Sequence, residues 1–314
     1  MKRGLLIFAA LLAVCPACSG DAAPFVPAGD PAPASPSWAE ETARPVSPPL
    51  ACDFYDGQSF AAAVERAEIY EIDGLLLCGV VPHHLLADRM IASFFKTAAE
   101  NRPDVETVVI VAPMHDGTRG KLSTTRSGWR APGGELPADE AVAARFMEEL
   151  GAAADDTLLQ EDHSASALIP FVQAYFPEAK TACLLISGLS GPDTPRRAAE
   201  TLSSVAPAQN CLFVFSVDFS HYLTPPETEE RDRETRRAVA SRDVDSVMRM
   251  GNGHMDSPVC VCAFILLTDL LEGSIYELDH GDSLKMSGLH PSDPAFAEGL
   301  TSYFIFAGCR PFLS

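Results

Sequence analysis

Histidines stand directly after three apolar, β-branched runs of this chain. Leu75–Pro82 leads into His83 and His84, Thr107–Pro113 into Met114 and His115, and Cys211–Asp218 into Phe219, Ser220 and His221. Imidazole titrates near neutral pH and is the commonest metal ligand. In an open α/β sheet, ligands sit just beyond the carboxyl ends of the strands. Three strand ends delivering imidazole to one edge would therefore build a metal or an acid–base site. His163, within Glu161-Asp162-His163-Ser164, is a further candidate, although Asp162 and Ser164 equally suit capping of the following helix. Asp218, three residues before His221, has two readings: it orients an imidazole or it caps the turn that follows. A Ser-Asp-His hydrolytic reading around Ser220 lacks the Gly-x-Ser-x-Gly elbow. Cys260-Val261-Cys262 opens an apolar helix. A thiol at a helix start gains thiolate character and suits a metal or redox role; two buried helix cysteines are the plain alternative, and a single Cys-x-Cys is a weak zinc motif. His254, His280 and His290 lack such placement and read as surface or structural residues.

The elements that must position these groups alternate along the chain. Leu75–Val81 and Thr107–Ala112 are continuous apolar runs, as expected of strands covered on both faces. Between them, Leu85–Glu100 carries Leu86, Met90, Phe94 and Phe95 near helical spacing. Asp139–Leu150, Ala165–Tyr175, Thr194–Val205, Glu227–Val239 and Val259–Leu271 read as helices. Ala182–Ser187, Leu212–Val217, Ser274–Leu278 and Ser302–Phe306 read as strands. The outline is α/β: a three-layer sandwich around a mostly parallel sheet. Asp116–Leu136, rich in Gly, is expected to be a loop over the site edge.

Composition bounds the partners. The net charge of −20 repels phosphate backbones and argues against nucleic acid. The chain opens with Met1-Lys2-Arg3 and an apolar stretch, Gly4–Val14, too short to span a bilayer and right for a secretory signal. Ala17-Cys18 resembles a bacterial lipobox, with Cys18 lipidated as the new N-terminus. Cleavage there would remove Lys2 and Arg3 but no acid, so membrane contact would rest on that lipid alone. The expected organisation is a signal at 1–17, a Pro/Ala-rich tether at 18–51 and one domain at 52–314, held at the cell envelope. Seven cysteines follow Cys18, an odd number that leaves at least one thiol unpaired.

Five segments together resemble a known family. These are Val81-Pro82-His83; Ala112-Pro113-Met114-His115; Glu161–Ser164 with Leu168-Ile169-Pro170-Phe171; Ser216-Val217-Asp218-Phe219-Ser220-His221-Tyr222; and Cys260 ahead of Ala263–Leu267. They occur in the order seen in the Memo family, whose bacterial members are called AmmeMemoRadiSam system protein B. The likeness runs from about 73 to 307, with Lys285–Gly288 and Ser302-Tyr303 similar to the family's last segment. It implies a fold like the class III extradiol dioxygenases and a His-His-Cys site for iron or copper. Carried over, the ligands are His83, His115 and Cys260, with Asp218, His221 and His163 lining the pocket. Two imidazoles and a thiolate would also accept zinc. The chain departs from the family at His84-Leu85, usually Ala-Gly, and at Val261–Phe264, where the family has glycines after its cysteine. The expected function is metal-dependent, oxygen-activating redox chemistry on a small molecule, with His221 or His163 moving protons and Asp218 orienting an imidazole. The rivals are a non-catalytic metal- or peptide-binding protein and a metal-assisted hydrolase. A mobile, polar pocket mouth would favour an enzyme, and an occluded pocket metal holding.

Overall fold

Val108, Ile110 and Ala112 face one side of their strand and Val109 and Val111 the other, yet all five are fully buried. A strand of this kind needs cover on both faces, which forces a three-layer arrangement. The computed structural model describes residues 48–116, 121–205, 210–290, 293–297 and 299–312. The unit that contains them spans 46–314. Its strands are β1 (Leu50–Ala51), β2 (Leu75–Val81), β3 (Thr107–Met114), β4 (Leu122–Thr124), β5 (Trp129–Ala131), β6 (Gly134–Leu136), β7 (Ala153–Ala154), β8 (Lys180–Ser187), β9 (Cys211–Ser216), β10 (Ser274–Asp282) and β11 (Ser302–Arg310).

Eight strands form the main sheet in the order β10-β11-β2-β9-β3-β8-β4-β7. The centre, β2-β9-β3-β8, is parallel. The antiparallel pairs lie towards the edges, β10–β11–β2 on one side and β8–β4 on the other. The fold is thus the α/β sandwich expected of the chain. One face is covered by helices that include Asp88–Asn101 and Ile169–Tyr175, and the other by Pro258–Leu270 and Thr194–Val205. The alternation repeats in the neighbouring strands: Leu212 and Val214 pack on the first face, Phe213 and Phe215 on the second.

The sheet order carries the functional consequence. β2, β9 and β3 are adjacent, with β9 in the middle and Val81 opposite Ser216. Their carboxyl ends therefore meet side by side, and His83, Asp218 and His115 follow them.

Several elements differ from expectation. Asp116–Leu136 is not one loop: β4, β5 and β6 lie within it, and Trp129 is fully buried. Strands of three residues are too short to show a period, which hid them. β1 pairs with β5, so Leu50 and Ala51 belong to the fold and not to the tether. The expected helix over Ala165–Tyr175 is two, His163–Ser166 and Ile169–Tyr175. Pro170 sits in the first turn of the second, where its missing N–H costs nothing. The helix expected over Asp139–Leu150 begins at Glu140, capped by Asp139, and its last turn, Phe146–Leu150, widens to π geometry. The seven cysteines from Cys52 to Cys309 are buried thiols, and no disulfide forms among the described residues. The signal segment, Cys18 and the tether up to 47 lie outside the described residues. Among the described residues no helix is long and apolar enough to cross a membrane.

Candidate metal centre

His83, His115 and His163 converge. One donor atom from each lies within 4.8 Å of the other two. The ring centroids are 5.3 Å apart for His83–His115, 5.2 Å for His83–His163 and 4.4 Å for the stacked His115–His163 pair. His83 leaves β2 and His115 leaves β3. His163 opens the short helix His163–Ser166, which is tied to the end of β3 because the Ser164 hydroxyl donates to the Pro113 carbonyl at 2.7 Å.

Hydrogen bonds set the tautomers. The Ser216 hydroxyl on β9 spends its one proton on the Ser164 carbonyl, at 2.5 Å. Its oxygen can then only accept from the His83 Nδ1–H, 2.9 Å away. That leaves the His83 Nε2 with a lone pair. Burial pushes the His83 pKa from 6.5 down to about 4, so the ring is neutral at pH 7. Likewise the Asp162 carboxylate accepts the His115 Nδ1–H at 3.0 Å and the His115 backbone N–H at 2.7 Å, leaving the His115 Nε2 free to coordinate. Burial alone would raise the Asp162 pKa. The His115 ring and the Ser164 and His115 backbone N–H groups outweigh it and hold this carboxyl well below the usual range.

A second group shares His83: its Nε2 stands 3.6 Å from Asp218 Oδ2 and 3.3 Å from Asp256 Oδ2. Asp218 also holds the end of β2, because its Oδ1 accepts the backbone N–H groups of His83 (3.1 Å) and His84 (3.4 Å). It thus caps the neighbouring strand end and not its own turn. Asp256 precedes the helix Pro258–Leu270 and donates its backbone N–H to the Asp218 carbonyl at 3.0 Å. Burial, reinforced by the Asp218 charge, raises the Asp256 pKa well above the carboxylate range. Asp256 Oδ1 is buried without a hydrogen-bond partner.

His221 and Tyr222 follow Asp218 in the chain, and the His221 backbone N–H donates to the Asn252 carbonyl at 3.0 Å. Burial lowers the His221 pKa, and its Nδ1 has no partner. Tyr222 is two-thirds exposed and held at φ 59°, a left-handed conformation that a bulky residue rarely adopts. His84 Nδ1 is hydrogen-bonded to the Tyr303 hydroxyl.

Of the residues singled out in the sequence, the structure brings together His83, His115, His163 and Asp218. It does not bring Cys260 into either group. That thiol lies in the apolar core under the helix start, where burial pushes its pKa up to about 12. Three residues of the site were missed. Asp162 stood inside a quoted motif but read only as a helix cap, and it serves as both cap and His115 partner. Ser216 is a polar residue closing an otherwise apolar buried strand, a signal that was available. Asp256 had no signal, lying 38 residues from Asp218.

An α/β sandwich whose parallel strand ends and adjoining helix starts gather three converging imidazoles and two carboxylates defines a candidate metal-binding protein. Residues 76–288 match the family described as Memo-like protein, and the chain belongs to that family. It is similar to MEMO1 family protein MK0963 of Methanopyrus kandleri, 28% identical over 170 residues, which are 52% of this chain and 60% of that one. It is 24% identical over 203 residues to a MEMO1 family protein of Methanosarcina mazei, covering 63% of this chain and 73% of the relative. A Methanosarcina acetivorans relative is 25% identical over 255 residues, 76% of this chain and 90% of its own. An uncharacterized protein of Escherichia coli K12, JW3007, has a similar fold: TM-score 0.51 at 12% identity, over 74% of this chain and 99% of that one.

Proposed function

We propose that the protein is a metal-dependent oxidoreductase acting on a small molecule, with the ion held by His83, His115 and His163. The observation that carries this reading is the pair of locked tautomers. Ser216 and Asp162 each take an Nδ1–H, so the Nε2 lone pairs of two neighbouring imidazoles are left to coordinate. A redox-active ion such as iron or copper would supply electron transfer to a substrate or to dioxygen.

The chain's own groups would do the rest. Asp218 holds the His83 strand end in place through two backbone N–H bonds. His221, whose pKa burial lowers and whose Nδ1 has no partner, is suited to accept and return a proton. His115 is exposed enough at its ring, 37%, for a ligand to approach, which favours turnover over a sealed store.

Elemental analysis of the purified protein, with electron paramagnetic resonance under nitrogen and then air, tests the reading. One iron or copper per chain is expected, with a signal that changes on admitting air. Stoichiometric zinc alone would favour hydrolysis, and an ion indifferent to air and additives would favour simple holding. We further propose an envelope location, on the strength of Gly4–Val14 and Ala17-Cys18. A diacylglyceryl mass on Cys18 is expected, and an unmodified N-terminus elsewhere would refute it.

A further inference from the structure

We propose that Asp256 supplies the anionic ligand of this centre, so that the ion sits among imidazole nitrogens and carboxylate oxygens with no thiolate. This rests on the metal reading above and assigns what that reading leaves open, the non-histidine donor and hence the class of ion.

The site holds an electrostatic mismatch. His83 Nδ1–H is donated to Ser216, so Nε2 carries a lone pair. That lone pair faces two carboxylate oxygens, Asp256 Oδ2 at 3.3 Å and Asp218 Oδ2 at 3.6 Å. Three electron-rich atoms turned on one another repel unless a proton on Asp256 or a metal ion lies between them, and a proton on Oδ2 would still leave Oδ1 unserved. Asp256 adds a second sign, because its Oδ1 is buried with no donor to serve it. Native structures rarely leave such an atom, and each exception asks for an explanation such as a missing ion.

The spacing fits a common ion. Donors each about 2.1 Å from one metal, and separated by roughly 90–109° around it, stand about 3.0–3.4 Å apart. The His83–Asp256 distance falls in that range, and the His83–Asp218 distance lies just beyond it. The two groups overlap at His83, whose Nδ1 is committed to Ser216, so Nε2 is the atom through which one ion would be shared between the carboxylates and the imidazoles.

Cys260 is poorly placed to take this part. It lies outside both groups, among the apolar side chains of the core. Asp256 stands one residue before the Ser257 cap of the same helix, so the same helix start reaches the site with a carboxylate instead of a sulfur. Imidazole with carboxylate and open positions is the donor set of non-haem iron(II) oxygenases, whereas copper(I) seeks soft sulfur ligands. Nitrogen and oxygen donors of this kind suit iron(II) and disfavour copper(I).

Cobalt(II) loaded anaerobically into ion-free protein reads the ligands directly, because thiolate ligation gives a strong charge-transfer band. We expect the wild type to bind one cobalt without that band, and Cys260→Ser to bind it equally well. Asp256→Asn keeps the backbone bond to Asp218 and an acceptor for the Asp218 N–H. It should lose more than the roughly 10–100-fold affinity that losing an outer hydrogen-bond partner costs. Asp256→Cys in the Cys260→Ser background should gain the thiolate band, which places residue 256 on the ion whatever the stability of the Asn variant. A thiolate band in the wild type that Cys260→Ser abolishes would overturn the assignment, as would full cobalt affinity in folded Asp256→Asn. A wild type that binds no cobalt, iron or zinc would instead defeat the metal reading itself, and this assignment with it.

Discussion

Two assemblies of histidine and aspartate occupy this molecule, and they are wired differently. In one, Asp232 is buried and every part of its carboxylate is served: Oδ1 accepts the Ser220 and Ser302 hydroxyls, each at 2.7 Å, and Oδ2 meets His280 Nε2 at 2.8 Å. In the other, His83 turns a lone pair on Asp218 and Asp256, and Asp256 Oδ1 has no donor. The residue types are the same and both lie near the ends of the same sheet. A closed set of hydrogen bonds holds β11 to the Asp218–His221 loop and asks for nothing more. The open set is the candidate site, because an unmet buried group asks for a partner from outside.

The sharpest way to break this comparison is His83→Ala. It removes the donor that both candidate groups share, so stoichiometric cobalt binding should disappear while far-UV circular dichroism is kept. If equilibrium dialysis still finds one ion per chain, the open set is not the site.

The next effect is on stability and pH. In ion-free protein, burial holds His83 near 4 against 6.5 unfolded. Between those values the unfolded chain takes up a proton that the folded one refuses. This contribution to stability is therefore intact above pH 6.5 and is lost as pH falls toward 4, by up to about 3 kcal/mol. Asp256 works in the opposite sense, since its raised pKa favours the folded state at low pH. Urea unfolding at pH 7 and 4.5 should show a smaller acid loss in His83→Gln than in the wild type. Equal losses would exclude His83 as the source.

Asp232→Ala should act on stability alone. It strips two buried hydroxyls and an imidazole of their partner, a cost of about 2 kcal/mol, while cobalt affinity stays unchanged. A large fall in affinity would erase the distinction between the two assemblies. The smallest expected effect is that of Ser216→Ala. His83 Nδ1–H loses its acceptor and the tautomer its lock, so cobalt affinity should drop about 10-fold, the low end for such partners. Competition with a chelator measures it, and an unchanged value would mean that Ser216 does not set the ring.

Much of this was legible in the chain. Apolar runs located β2, β3 and β9, because a strand buried on both faces cannot hide its composition. The histidines after those runs located the edge where the site lies. His163 was placed in the pocket by its motif, though as a proton carrier, while the geometry groups it with His83 and His115. The short strands β4, β5 and β6 were not legible, since three residues show no period.

What the residues determined by themselves is the sandwich and the strand ends, because hydrophobic pattern is local and each element carries its own. What only the tertiary structure decided is which groups meet. Cys260 looked like a ligand from its place at a helix start, but a helix start has a direction, and here the thiol turns into the core. Asp256, unremarked in its loop, is brought to His83 by the pairing of its backbone with the Asp218 carbonyl. Ser216 reaches His83 because β9 lies between β2 and β3 in the sheet. Strand order and helix rotation are settled by packing over the whole domain, so no spacing in the sequence could have carried them.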